Sequence, residues 1–403
     1  MKRKSFILVL YFGCFLTLTG CWSQKELTDL AIISAMGIDL TENGEYASTL
    51  QIINPSNVAG GLQGGGAGQG PPVSIYTATG SSIIEMNQRA SKKLPRRRYY
   101  AHTNLLVIGE ELARKEGITG ILDAIERHQE FRMTAVIIIA HGVKASDLLK
   151  VLTPVDKIPA KKIIKNLRFT EEQWGEVFTL NLQDVKKDMT AVGKSPVISG
   201  FSIEGDPVQG SKMENVQTSD PETTLSATGL AIFKEGKLVD WIDGKTARGT
   251  VLILDKIKNT GISFDWKDKK DVGTFQVIRM NSKNIATMKK GKPKITVEVK
   301  AEGYLSEIRT AVNLTDPKIL IEMEDTIEKT IKEEILLAVE EGKKVKSDIF
   351  GFGQVFHQNH PKEWQKLKAD WHDVHFPELT VDVNVEVYIR RTGLRNNPSV
   401  LKE

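Results

Sequence analysis

The sequence predicts a mixed α/β (α+β) chain of three domains, each a mixed β-sheet packed with α-helices. Three observations carry that expectation. Residues 133–140 (MTAVIIIA) are a nearly unbroken apolar run of strand length, as in a sheet centre covered on both faces. Residues 294–302 and 379–390 alternate apolar and polar side chains with period two, so each buries one face of a strand. Between them Met323, Ile327, Ile331 and Ile335 recur every four residues and line one stripe of a helix.

The 403-residue chain opens on Lys2, Arg3 and Lys4, then an apolar run, 6–18, interrupted by Gly13 and Thr17. A basic start, an apolar centre and small residues before a cut make an export leader. The run is shorter than the roughly 18 apolar residues of a membrane span. Leu18-Thr19-Gly20-Cys21 turns it into a lipoprotein leader. Thr19 and Gly20 let the backbone lie extended in a peptidase, and Cys21 offers a soft nucleophile that a lipid donor can alkylate. Residues 1–20 are therefore expected to be removed, leaving Cys21 with N-acyl and S-diacylglycerol groups. A plain secretory signal or a short anchor helix is the alternative. Each buried methylene contributes about 0.8 kcal/mol and one chain alone is marginal, so two or three acyl chains anchor firmly. The mature chain is expected to be lipid-anchored on the extracytoplasmic face of a membrane. The tether at 22–28 reaches about 25 Å at full extension, which keeps the first domain close to the bilayer.

Residues 30–40 are apolar, Asn43-Gly44 signals a turn, and 46–54 is rich in strand formers, so the two pair as a hairpin. Residues 59–72 are glycine-rich, but no strand-to-helix context frames them, which favours a mobile surface loop over a phosphate loop. Ser82 and Glu85 are spaced as a capping box opening a helix that runs to about Lys93 and stops before Pro95. A strand at 104–108, helices at 110–116 and 119–129, and the 133–140 strand follow. Helices at 145–152, 160–167 and 182–189 complete a first domain. Glycines and prolines interrupt 193–222 around a short strand, 197–203, and a boundary is expected there. Next, 227–234 and 237–242 form a hairpin about Glu235-Gly236, and 250–257 and 273–280 read as strands. Asp316 N-caps and Pro317 starts the helix that ends near Gly342, roughly 37 Å long. The expected domains are 21–192, 193–290 and 291–395.

Three of the 55 Lys and Arg residues lie in the leader, so the mature chain sets 52 basic against 51 acidic residues. That balance, with export, argues against nucleic acid. Of two cysteines, Cys14 falls in the leader and Cys21 is the lipidation site. No thiol is left for catalysis, a disulfide or a thiolate metal site. No Gly-x-Ser-x-Gly elbow, His-Glu-x-x-His pair or P-loop occurs, so neither catalysis nor a cofactor is expected.

Three clusters are candidates for a site. His357-x-x-His360 and His372-x-x-His375 gather four of seven histidines. Trp364, Leu367 and Trp371 already form a core stripe between them, and no carboxylate cluster completes a ligand set, so no metal is expected. Asp348-Ile349-Phe350-Gly351-Phe352-Gly353 either offers aromatic surface to a partner or turns between helices with Phe350 and Phe352 plugging the core. The packing reading is favoured. Lys92, Lys93, Arg96, Arg97 and Arg98, followed by Tyr99 and Tyr100, form a dense basic patch. Near a bilayer each cation adds roughly 1 kcal/mol of attraction to anionic lipid. The other reading is a solvated loop whose aromatics pack inward.

Several stretches, in their order and spacing, resemble one family. They are 18–40 (LTGCWSQKELTDLAIISAMGIDL), 49–56 (TLQIINPS), 96–118 (RRRYYAHTNLLVIGEELARKEGI) and 128–142 (HQEFRMTAVIIIAHG). DIFGFG at 348–353, the segment from Trp364 to Trp371, and the last strand into Arg391-Thr392-Gly393 continue the match. The chain is similar to the Ger(x)C family, the C-subunit lipoproteins of spore germinant receptors, over nearly its whole mature length. Correspondence is poorest at 59–72 and 204–223. The resemblance implies three α/β domains, anchorage on the outer face of the inner spore membrane, and work beside integral membrane A- and B-type subunits. It implies a nutrient germinant receptor subunit that acts in spore germination by binding and assembly. An extracytoplasmic solute-binding lipoprotein, or a wall-active hydrolase built on two carboxylates, is the alternative.

Overall fold

The computed structural model describes residues 26–59 and 70–391. Cys21, the leader and most of the glycine-rich stretch lie outside the described residues. The rest is a mixed α/β arrangement of two sheets and their helices. The larger sheet has nine strands among the described residues. These are β1 (Leu30–Leu40), β2 (Tyr46–Ile53), β3 (Val73–Gly80), β4 (Arg97–Tyr99) and β5 (Leu105–Gly109), then β6 (Val136–Ala140), β7 (Val197–Glu204), β8 (Thr224–Lys234) and β9 (Lys237–Ile242). Their order is β3-β2-β1-β5-β6-β7-β8-β9, with β4 paired to the start of β1.

Strands β1, β5, β6 and β7 run parallel, and antiparallel pairs close both flanks. The parallel centre accounts for the unbroken apolar run in β6. Ile137 and Ile139 enter one core while Val136, Ile138 and Ala140 enter the other. In β5, Leu106 and Ile108 join the first core, and Leu105 and Val107 the second. Helices Glu110–Lys115, Thr119–Glu126 and Leu182–Thr190 cover one face; Ala145–Lys150 and Pro159–Gln173 cover the other.

The second sheet has the order β10 (Thr260–Trp266), β11 (Lys269–Lys289), β12 (Lys292–Ile308), β13 (Thr380–Arg391). Strands β11 and β12 form a long antiparallel hairpin, and β13 returns parallel to β12. A parallel return needs a crossover. Here it contains the 28-residue helix Pro317–Lys344, about 42 Å long at ~1.5 Å per residue. The Asp316 carboxylate accepts the Lys318 N–H at 2.9 Å and caps that helix. Met323, Ile327, Ile331 and Ile335 are all fully buried in one core with Ile295, Val297 and Val299 of β12. The four-residue repeat thus lies on the sheet, as its spacing predicts.

Residues 193–290 are shared between the sheets: β7, β8 and β9 complete the first, and β10 and β11 open the second. The expected strand at 250–257 is not one. Thr250 to Ile253 belong to the helix Gly244–Ile253, in which Ala247 through Ile253 are all buried. A segment buried all round shows no period that separates helix from strand, and packing then overrides the β-preference of Thr250, Val251 and Ile253.

Candidate functional site

The long helix ends at Lys344, and four residues later the chain enters the Asp348–Gly353 turn. Asp348 is fully buried, and its carboxylate collects five N–H donors. One oxygen accepts from the amides of Phe350 (3.2 Å), Gly351 (2.9 Å) and Phe352 (3.1 Å). The other accepts from the Gly353 amide and the Trp371 indole, both at 2.8 Å. These amides open the helix Phe352–Asn359, whose free donors need an acceptor. Asp348 therefore caps one helix and ties it to the wide helical turn Trp371–His375. Phe350 and Phe352 are buried 5.1 Å apart, with Phe376 6.4 Å from each. Trp364 and Trp371 meet edge to face at 5.2 Å. The packing reading of this turn holds.

The same turn joins the two sheets. The Asp348 carbonyl accepts the Ser195 amide at 2.8 Å, just before β7. The Ser347 hydroxyl donates to the carbonyl of Phe233 in β8 at 2.6 Å. Gly353 and Gly193 touch backbone to backbone: a Cβ on Gly353 would stand 2.7 Å from the Gly193 carbonyl and 2.7 Å from the Trp371 indole nitrogen. Beside them a cleft of about 350 Å³ is lined by Thr119, Met189, Lys194, Lys234 and His372. Burial pushes the Asp348 carboxyl up, against N–H donors that favour its ionised form. Burial also pushes His372 down, against the charge of Asp348, whose amide donates to His372 Nδ1 at 3.2 Å. A carboxylate spent on five donors acts as a clamp. The chemistry of this centre is attachment.

A second attachment point has no signal in the sequence. Arg248 and Glu334 pair in the interior between the helix Gly244–Ile253 and the long helix. Gly249 permits the approach, since a Cβ there would fall 2.0 Å from the Glu334 carbonyl. An Arg in one helix and a Glu 86 positions later carry no mutual spacing rule. On the first sheet, Glu110 gathers the Gly142 amide (2.9 Å), the Trp241 indole (2.9 Å) and Arg114 (2.8 Å), while His141 stacks on Trp241 at 3.9 Å.

The other candidates separate. His360 Nε2 lies 3.0 Å from the Ala286 carbonyl, His357 lies against Trp364 at 6.3 Å, and His372 belongs to the Asp348 turn. Among the described residues no group of three or more His, Cys, Asp or Glu could hold a metal ion. In the basic patch, Arg96 and Arg97 are exposed and Arg98 is half-buried. Tyr100 is buried against His128, with ring centroids 4.7 Å apart. Tyr100 packs inward, Lys92, Lys93, Arg96 and Arg97 stay in solvent, and Arg98 donates to the Asn87 carbonyl.

Comparison with known proteins agrees with this architecture. Residues 23–203 match the family described as spore germination protein N-terminal domain, and 228–393 match spore germination B3/GerAC like, C-terminal. The chain is 47% identical to spore germination protein KC of Bacillus subtilis over 99% of its own length and 98% of the relative's. It is 24% identical to spore germination protein B3 of the same organism, over 98% of this chain and 99% of that one. A crystal structure of the GerBC protein covers 88% of this chain, and 97% of its own, with a TM-score of 0.55 at 19% identity. That likeness supports the fold. With both halves of the chain matched and a relative at 47% identity over its length, the chain belongs to the Ger(x)C family of spore germination proteins.

Proposed function

We propose that this chain is the lipid-anchored C-type subunit of a spore nutrient germinant receptor. It acts by binding and assembly with integral membrane A- and B-type subunits. The observation that carries the reading is the 47% identity, end to end, with a protein named for spore germination. Among the described residues no helix is long and apolar enough to cross a membrane. We assign attachment to Cys21, acylated after removal of residues 1–20, on the extracytoplasmic face of the inner spore membrane. An anchor confines the protein to two dimensions beside its partners and raises their effective concentration. The polar centres described above are consistent with a scaffold, since each spends its charge on holding elements together.

Deleting the gene from a spore former that lacks a redundant receptor is expected to impair nutrient germination and leave vegetative growth unchanged. Normal germination in that strain would refute the proposal. Co-purification from spore membranes tests the partners in the same strain. A Cys21→Ala chain should fold but be released from the membrane fraction by a high-salt wash, and its retention after that wash would refute the assigned anchor.

A further inference from the structure

Strand β4 lies beside the point where the chain enters the first sheet: Arg97 pairs with Leu30, Arg98 with Ala31 and Tyr99 with Ile32. Cys21 precedes Leu30 by nine residues, a reach of at most about 32 Å. The basic segment therefore sits at the tether. Around it, a cleft of about 540 Å³ is lined by Arg96, Arg97, Arg98, Arg127, His128 and Glu130. Four guanidinium groups against Glu130 in the lining and Asp123 beside Arg127 leave a local surplus of positive charge. The mature chain as a whole is nearly neutral, so the surplus is local and not a general basicity.

The support under these cations is packed and hydrogen-bonded. Tyr100 is buried and donates its hydroxyl hydrogen to Asn87 Oδ1 at 3.1 Å, while Arg98 donates to the Asn87 carbonyl. Arg97 and Arg127 are 63% and 77% exposed. The nearest Arg97–Glu130 approach is 3.8 Å, too long for a hydrogen bond. Arg127 holds Asp123 from the same helix in an exposed pair, worth little in water. Guanidinium groups are suited to bidentate recognition of phosphate. Lys92 and Lys93 lie in the exposed turn before β4 and extend the same sign of charge.

We propose that this cleft takes the phosphodiester of anionic lipid headgroups and lays this end of the first sheet on the bilayer. The proposal rests on the anchoring reading above, which supplies the membrane within reach. The tether brings the surface to the cleft, and the cleft fixes the orientation of the domain. A neutral bilayer would offer the guanidinium groups no matching net charge.

The test uses the mature chain carrying Cys21→Ala, so that no lipid contributes. Flotation is measured with vesicles of phosphatidylcholine alone and with equal parts of phosphatidylcholine and phosphatidylglycerol. Binding is expected only to the second, weakening as salt is raised. Arg96→Gln/Arg97→Gln/Arg127→Gln should lower affinity about a hundredfold, or roughly fivefold per charge near the surface. Arg309→Gln, just after β12, should leave it unchanged. Thermal melting of each variant checks that the exposed substitutions leave the fold intact. Equal binding to both vesicles, or an unweakened triple variant, would overturn the proposal. So would inorganic phosphate abolishing vesicle binding at an ionic strength where chloride does not, which would mark a free-anion site. Acylation is read separately, by detergent-phase partition of the Cys21 chain against Cys21→Ala. The two readings can thus fail independently.

Discussion

Arg248 and Glu334 form a bidentate ion pair inside the protein, with Arg248 Nε 2.8 Å from Glu334 Oε2 and Glu334 only 1% exposed. A buried pair of this kind adds little net stability against a well-packed apolar pair, because desolvation consumes the Coulomb gain. Breaking it is costly. Glu334→Ala leaves a guanidinium in the interior without its counter-charge and is expected to lose about 3–5 kcal/mol in chemical denaturation. Arg248→Met combined with Glu334→Leu should recover most of that loss. A Glu334→Ala chain within about 0.5 kcal/mol of the parent would show that water reaches the guanidinium.

The Asp348 turn makes a different prediction, since its donors come mainly from the backbone and cannot be removed. Trp371→Phe keeps most of the aromatic mass but removes one N–H donor, at an expected cost of about 1–3 kcal/mol. Asp348→Ala strands four buried amides together with the indole and should cost more. Because this turn holds Ser195 and Gly193 against the second sheet, Asp348→Ala should also expose the chain near 193–196 to limited proteolysis. Cleavage there at the parent's rate would separate the turn from the joint.

Glu110 sets a pH dependence. Burial pushes its carboxyl up, but the Gly142 amide, the Trp241 indole and Arg114 outweigh this and hold it below its ordinary value of 4.5. A folded pKa below the unfolded one contributes stability that is fully present above 4.5 and is lost as pH falls through the folded value. Glu110→Gln should therefore lower the melting temperature at pH 6–7. The gap to the parent should close as pH drops below 4.5. Charge-assisted bonds of this kind are worth about 1.5–3 kcal/mol each when buried, and less at this half-buried position. A gap that stays constant down to pH 3 would assign the loss to shape and not to charge.

The parts of the fold readable in the sequence are those where burial imposes a period. Strand β6 is buried on both faces and reads as one apolar run; the long helix buries one stripe and reads as a four-residue repeat. Strand β3 (VSIYTATG) flanks the sheet with three of its eight residues partly buried and two exposed, and gives no clean alternation. The far half of β11 (NSKNIATMK) is held by its hairpin partner and buries little beyond Ala286. In the site, the local part was legible: Ile349, Phe350 and Phe352 of DIFGFG point inward because three large apolar side chains so close together need a core. The long-range part was not. Ser195, Phe233 and Trp371 reach Asp348 or its neighbour through backbone and indole groups, and a backbone donor leaves no trace in residue identity.

The helix Gly244–Ile253 offers the sharpest separation between sequence propensity and packing. In an isolated helix, replacing glycine by alanine is favourable by about 1 kcal/mol, and an exposed turn before a strand would tolerate it. Here a Cβ on Gly249 would stand 2.0 Å from the Glu334 carbonyl, 2.6 Å from its carbon and 3.1 Å from the Ala338 methyl. The first two are backbone atoms of the long helix and cannot rotate away. Overpacking of this kind costs about 1–3 kcal/mol or more, and the strained separation would also lengthen the Arg248–Glu334 bonds. Gly249→Ala is therefore expected to destabilise the chain by about 2 kcal/mol net, and Gly249→Val by more. A Gly249→Ala chain as stable as the parent would mean that the two helices do not approach this closely at Gly249.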